Sequence, residues 1–474
     1  VKDENQNQVL AVGAMVLLLV AVLMVGGGTA GGGGGSVREP AAAPLAAIES
    51  GADHIGAAEL AARILAGGEG MLLVDVRPPA EFATFRLPRA VNLGVPELLA
   101  TSLREQLAGY ELVVLYSNGI AHPAQAWLEL TRAGLRNVRV LDGGLTQFVA
   151  DVLTPASLRE GGDEATAKAE AARMALMRAF FLTPIEPLAV PLPWAKDPAQ
   201  LAEPTVVSPA WLAARLGKVK VLDTRPSASD HAAFHVPGAV HFPEKPLRLQ
   251  HGDRALLLAP AEAIAAALGA AGVGNDDEVV LLADDKPQDA TLLAMALLRV
   301  GHQRFAILEG GILRWAAEQR PLVAGSVAPQ PVAYVPKPGA DTFTIDAAEL
   351  HASLANGQKV LDVRPVEFFT GAKSTEARPG HIPGAVNRDY KKDLVRTDDG
   401  HYWRPPAELA KEYEALGLGK DDAIAVSCRT GHTASESYFV LRFLLGYRNL
   451  RWYNGSWTDW AERSELPAAL GDGR

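Results

Sequence analysis

A chain of 474 residues with 48% hydrophobic content is too long for one core, and a prior of about 150 residues per domain sets an expectation of roughly three units. The 45 Lys and Arg against 55 Asp and Glu leave a net charge of −10 without any dense basic run, which argues against a nucleic-acid partner. A single cysteine excludes an intrachain disulfide framework and any thiolate-rich zinc or iron–sulfur site.

In chain order, the first feature is the apolar run VLAVGAMVLLLVAVLMV at 9–25, followed by GGGTAGGGGGS. It is slightly short for a membrane span, but the adjoining glycines lengthen it. A core helix is the weaker reading, since a run tethered through a Gly tract has nothing nearby to pack on. The expectation for 1–45 is therefore an uncleaved signal anchor, or a signal peptide cut after Gly28-Thr29-Ala30, followed by a Gly-rich tether. The membrane becomes an expected partner through this segment, with the globular part exported and periplasmic. Lys2, opposed by Asp3 and Glu4, gives that orientation little support.

Beyond the tether, three signals recur three times in one order. An apolar strand ends in an acid and an arginine: Leu72-Leu-Val-Asp-Val-Arg-Pro78, Val221-Leu-Asp-Thr-Arg-Pro226 and Val360-Leu-Asp-Val-Arg-Pro365. A turn and short strand follow: Arg86-Leu-Pro-Arg-Ala-Val-Asn92, His235-Val-Pro-Gly-Ala-Val-His241 and His381-Ile-Pro-Gly-Ala-Val-Asn387. Last comes a strand running into glycine: Val138-Arg-Val-Leu-Asp-Gly-Gly144, Phe305-Ala-Ile-Leu-Glu-Gly-Gly311 and Leu450-Arg-Trp-Tyr-Asn-Gly-Ser456. Between the second and third signals lie another apolar strand, a polar loop and a helical run. Short apolar strands alternating with helices predict a parallel sheet covered on both faces, so each copy reads as a small α/β domain. The expected boundaries are 46–150, 201–325 and 341–474, with a helical linker in 151–200 carrying a helix over 164–180, and an extended linker over 326–340.

The cysteine falls in Ala425-Val-Ser-Cys-Arg-Thr-Gly-His-Thr-Ala-Ser435, directly after a strand, where α/β domains bind ligands. A six-residue loop from Cys428, closing on a helix that begins near Ala434, would aim backbone N–H groups at the sulfur. Such a nest beside a helix N-terminus favours negative charge, and the thiolate is the nucleophilic form of cysteine. Arg429 adds a cation able to hold an oxyanion, Thr430 and Thr433 add hydroxyls, and Gly431 permits the curl. His432 fits a pocket mouth and a solvated loop position equally well. Alignment on the following glycines sets Ser117 and Asp284 at the cysteine position of the first two copies, and neither residue offers a thiol. Asp362 and Arg364 recur as Asp75/Arg77 and Asp223/Arg225, which favours a structural role. Arg378 is a weak candidate for contacting an anion, and His231 and His235 lack a third metal ligand.

These motifs resemble three tandem rhodanese domains, and 201–474 resembles the two-domain thiosulfate and 3-mercaptopyruvate sulfurtransferases. The resemblance rests on the Leu-Asp-Val-Arg strand end, Gly380-His-Ile-Pro-Gly-Ala385, the Cys428-Arg-Thr-Gly-His-Thr433 loop and Asn454-Gly-Ser-Trp457. It implies transfer of sulfane sulfur from an anionic donor such as thiosulfate, through a persulfide on Cys428, to cyanide or a thiol, without metal or organic cofactor. Arg429 matches the Arg-Lys pair that follows the cysteine in thiosulfate enzymes and Thr430 departs from it, whereas mercaptopyruvate enzymes carry Gly-Ser there. The alternatives are a mercaptopyruvate enzyme, or a persulfide carrier or scaffold with a protein acceptor. A phosphatase is disfavoured because Ala434 stands where an arginine is needed. The first two domains are expected to be inactive, the second walling the cleft of the third.

Overall fold

The computed structural model describes residue 47 and residues 51–154, 164–182, 197–251, 254–326, 328–397 and 400–472. The apolar runs form three five-stranded sheets, each parallel throughout. The first contains β1 (His54–Ile55), β2 (Met71–Asp75), β3 (Val91–Asn92), β4 (Leu112–Tyr116) and β5 (Val138–Leu141), in the order β1-β5-β4-β2-β3. The second repeats that order with β6 (Thr205–Val207), β7 (Lys220–Asp223), β8 (Val240–His241), β11 (Val279–Leu282) and β12 (Phe305–Leu308). In the third the strands are β13 (Thr344–Ile345), β14 (Lys359–Asp362), β15 (Val386–Asn387), β18 (Ile424–Ser427) and β19 (Leu450–Tyr453). The central strands β4, β11 and β18 are buried at every residue, as a parallel sheet covered on both faces requires.

The second and third domains each carry an antiparallel ribbon that the sequence reading did not anticipate: β9 (Arg248–His251) with β10 (Arg254–Leu258), and β16 (Leu394–Thr397) with β17 (Gly400–Trp403). The linker helix α1 spans Glu164–Leu182, close to expectation. Residues 328–340 run without helix or strand along the second domain, held by Val332 N–H to Gly269 O and Lys337 N–H to Val300 O. The apolar run at 9–25 and its tether lie outside the described residues. Among the described residues, no helix is long and apolar enough to cross a membrane.

Successive strand residues point to opposite faces of a sheet, and the middle sheet uses this to serve two cores. Val279, Leu281, Phe305 and Ile307 face a core shared with the third domain. Val280, Leu282, Ala306 and Leu308 face one shared with α1 and the first domain. On the first of these faces, α2 (Pro287–Arg299) packs against α3 (His432–Phe439) and is buried along nearly its whole length. The Thr291 and Ser435 hydroxyls meet at 2.8 Å, and Gln288 Nε2 donates to Glu436 Oε2 at 2.5 Å. Burial first, then the nearby Asp393 carboxylate, hold the Glu436 carboxyl well above the usual range, which favours its neutral form. α2 and α3 both follow the loops at the carboxyl ends of their central strands, so their packing brings those two ends of the sheets together.

Candidate active site

Cys428 stands directly after β18, 1% exposed. The loop that follows is shorter than expected. Gly431 adopts φ +83° and the chain enters α3 at His432, two residues before the expected start. A Cβ on Gly431 would lie 2.5 Å from the Asn454 carbonyl, so the close approach as well as the left-handed backbone demands glycine. Trp452 Nε1–H donates to Gly431 O at 3.1 Å from below. Among the described residues, no protein acceptor meets the N–H groups of Arg429, Thr430 and Gly431, which leaves them available to an anion.

Helix α4 (Ser456–Glu462) clamps the loop from the other side. Its first N–H groups have no partner inside the helix, and Trp457 N–H and Thr458 N–H donate to the carbonyls of Cys428 and Arg429, both at 3.0 Å. Ser456 closes the clamp. It is fully buried at φ +53°, a left-handed conformation that costs a non-glycine residue of order 1–3 kcal/mol. Its Oγ accepts from Cys428 N–H at 3.0 Å, donates to Tyr453 O at 2.7 Å, and lies 4.0 Å from Cys428 Sγ. The first two domains have Gly144 and Gly311 in this place, at φ +62° and +57°. The departure from Gly-Gly to Gly-Ser was the sequence signal for this residue.

The other loop residues divide. Arg429 is half exposed and its Nε donates to Glu376 Oε1 at 2.7 Å. Burial raises the Glu376 carboxyl, but hydrogen bonds from Arg429, Thr458 and Thr375 outweigh it and hold the group below the usual carboxylate range. The one cation that sequence placed beside the sulfur is therefore paired with a carboxylate. Thr430 offers its carbonyl to a buried arginine from the middle domain, Arg248. Thr433 is half-buried in the first turn of α3. His432 meets Asp289 of the middle domain, Nε2 to Oδ1 at 2.9 Å, the carboxylate partner that sequence could not supply. Glu244, Asp289 and His432 bring donor atoms within 4.8 Å of one another, a set able to take a divalent cation. Both carboxylates already have protein partners, however, with Arg248 Nη1 3.7 Å from Glu244 and His432 Nε2 2.9 Å from Asp289. Tyr390 completes the surroundings. Burial, and then the acidic groups around it, push its hydroxyl above the usual range.

Residues set aside in the sequence take structural places. Arg364 Nη2 bonds Asp362 at 2.5 Å and Gly380 O at 2.8 Å; Arg77 and Arg225 repeat the pairing with Asp75 and Asp223, at 2.6 and 2.5 Å. Arg378 donates to the carbonyls of Trp460, Ala461, Arg463 and Leu466 at 2.8–2.9 Å, closing the end of α4 rather than facing an anion. His231 and His235 are buried and stacked at 4.2 Å, with His231 Nδ1 2.8 Å from Asp223.

The register also corrects the cysteine equivalence in the middle domain. Asp75 pairs with Tyr116, Asp223 with Leu282 and Asp362 with Ser427, so the next residues, Ser117, Ala283 and Cys428, are the equivalents. Their carbonyls accept from Leu145, Ile312 and Trp457 in turn. Ala283, not Asp284, thus occupies the cysteine position. The first copy is one residue shorter between this point and its helix-ending glycine, and counting from it shifts the second copy by one. An alanine can no more carry sulfur than an aspartate.

The family model described as Rhodanese-like domain matches residues 57–151, 208–318 and 346–463. A Synechococcus elongatus protein is 33% identical over 298 residues, covering 60% of this chain and 92% of its own length. Two proteins named thiosulfate sulfurtransferase, from Corynebacterium glutamicum and Azotobacter vinelandii, are each 31% identical over 56% of this chain, covering 91% and 97% of their own. The wild-type structure of EanB aligns with 88% of this chain and 97% of its own at 19% identity and a TM-score of 0.49. With matches in three successive regions, each on its own parallel sheet, the chain belongs to the rhodanese superfamily as a tandem array of three rhodanese-like domains.

Proposed function

We propose that the chain is a sulfurtransferase that takes sulfane sulfur from thiosulfate and passes it to cyanide or a thiol through a persulfide on Cys428. The Cys428 thiolate attacks the outer sulfur of thiosulfate, the donor's S–S bond breaks, and sulfite leaves with the electron pair. A cyanide ion then bonds the outer sulfur of the persulfide and leaves as thiocyanate, restoring the thiolate. The observation that carries this reading is the position of the chain's one thiol at a strand end, at the start of a loop whose next three backbone N–H groups meet no protein acceptor among the described residues, with Ser456 Oγ on the Cys428 amide. The relatives named thiosulfate sulfurtransferase support the donor. The first and middle domains, with Ser117 and Ala283 at the reactive position, are catalytically silent in this reading. The apolar run at 9–25 supports attachment to a membrane, and placing the three domains on its outer side extends that reading; fractionation and protease protection of cells expressing the whole chain test both parts.

The test of the chemistry is the intact mass of the whole chain after thiosulfate, followed by thiocyanate release on adding cyanide. The expected outcome is a gain of one sulfur that cyanide removes, with no gain in Cys428→Ser. A gain that survives in Cys428→Ser, or none in the native chain, would sink the proposal.

A further inference from the structure

Loading from thiosulfate brings a dianion to a thiolate, so the site must supply positive charge. Arg429 is a poor source, because Glu376 neutralises it at 2.7 Å and its side chain is half exposed. The structure offers another cation. Arg248 is the first residue of β9, in the middle domain, and its side chain is 3% exposed. Its Nη2 donates to the carbonyl of Thr430, two residues beyond Cys428. The ribbon thus delivers a guanidinium onto the very loop that holds the sulfur. Glu244 pairs with Nη1 at 3.7 Å, so the guanidinium is held between this carboxylate and the loop carbonyl.

We propose that Arg248, contributed by the silent middle domain, is the group that binds the anionic end of the sulfur donor at Cys428. The inference rests on the sulfurtransferase reading and deepens it. As Cys428 attacks the outer sulfur, charge grows on the departing sulfite oxygens. A planar guanidinium in a dry site matches that group in shape and sign. A charge buried at this depth also acts over a shorter and less screened path than one at the surface. Burial holds the Arg248 guanidinium below its usual range, with the charges of Glu244 and then Cys428 opposing that shift. Arginine nevertheless stays charged across ordinary pH. The middle domain, having lost its own cysteine position to Ala283, keeps a binding task in its neighbour's site.

Two readouts separate this from a merely structural role at the domain contact. The first is the thiosulfate concentration giving half-maximal sulfur loading of the whole chain. The second is alkylation of Cys428, the chain's one thiol, by iodoacetate and by its uncharged analogue iodoacetamide. In Arg248→Gln the half-saturating thiosulfate should rise about 10- to 100-fold, the value of one charge-assisted hydrogen bond, and the iodoacetate-to-iodoacetamide rate ratio should fall. Arg248→Lys should recover part of both. Glu244→Gln, which removes the opposing carboxylate and keeps the arginine, should move both readouts the other way. An unchanged ratio, or equal slowing of both reagents in Arg248→Gln, would overturn the proposal. Loss of the anion preference in Arg248→Gln from a chain that thiosulfate never loads would uphold Arg248 as the anion site and sink the choice of donor alone.

Discussion

Ser456 holds a left-handed backbone that its two sister domains reserve for glycine, and it spends that strain on one hydrogen bond to the Cys428 amide. The exchange predicts a separation of stability from activity. Ser456→Gly relieves the backbone and should unfold in urea within about 1 kcal/mol of the native chain, since strain relief and the lost bond are of similar size. It leaves the Cys428 N–H without its partner and the loop less fixed, so sulfur loading should slow about 3- to 10-fold. A variant that loads at the native rate would show that the serine is there for packing alone. The place of Cys428 at a strand end was legible in the sequence because an apolar strand runs straight into it and a polar, glycine-bearing loop follows. Arg248, Asp289 and Glu376 were not, because each reaches the loop from at least fifty positions away and nothing local marks it.

The two ribbons explain much of what stayed hidden among the elements. β9 of the middle domain reaches the loop of the third, while β17 of the third returns the contact: Gly400 packs on the Gly310 carbonyl, where a Cβ would come within 2.7 Å, and Tyr402 lies under the Arg314 guanidinium at 5.5 Å. Each domain covers the other's strand ends. Five-stranded sheets were legible from their apolar runs, but the ribbon strands Arg248–His251 and Leu394–Thr397 are four residues long without an alternating apolar pattern and read as loop. The covered loop of the middle domain crowds Asp284, Asp285 and Asp289 together. Burial, followed by the charge of Asp285, raises the Asp284 carboxyl to about 7. A folded-state value above the unfolded value of 3.8 means that the folded chain holds this proton longer. Its contribution to stability is therefore lost as pH rises from about 4 to about 7. Asp284→Asn cannot ionise, so it should stabilise the chain by about 1–2 kcal/mol at pH 8 and by less at pH 5. Equal effects on the urea midpoint at the two values would place the carboxyl in solvent instead.

Three tandem domains were legible from the repeated strand ends, but not that their cores interleave. Repeats reveal how many units a chain has, whereas the side of each sheet that faces a neighbour depends on contacts between units. The middle sheet gives one face to each neighbour, and the core it shares with the third domain contains Leu281, Leu293 and Leu297 together with Val426, Phe439 and Trp452. Residues 341–474 expressed alone would expose that surface. The fragment should self-associate or unfold in urea well below residues 197–474, which should melt as one transition. A monodisperse fragment as stable as the pair would show that the shared core is only a contact.

The same helix α2 has a history within each molecule's synthesis. Leu292, Leu293, Met295 and Leu297 are buried to within 1%, yet the helix that covers them, α3, is the product of codons far downstream. At roughly 5–20 residues per second a ribosome needs on the order of ten seconds to deliver it. For that interval the nascent chain presents the face of α2 that α3 will cover, while its other face packs on its own sheet, and an early stop between the two helices would leave that face bare permanently.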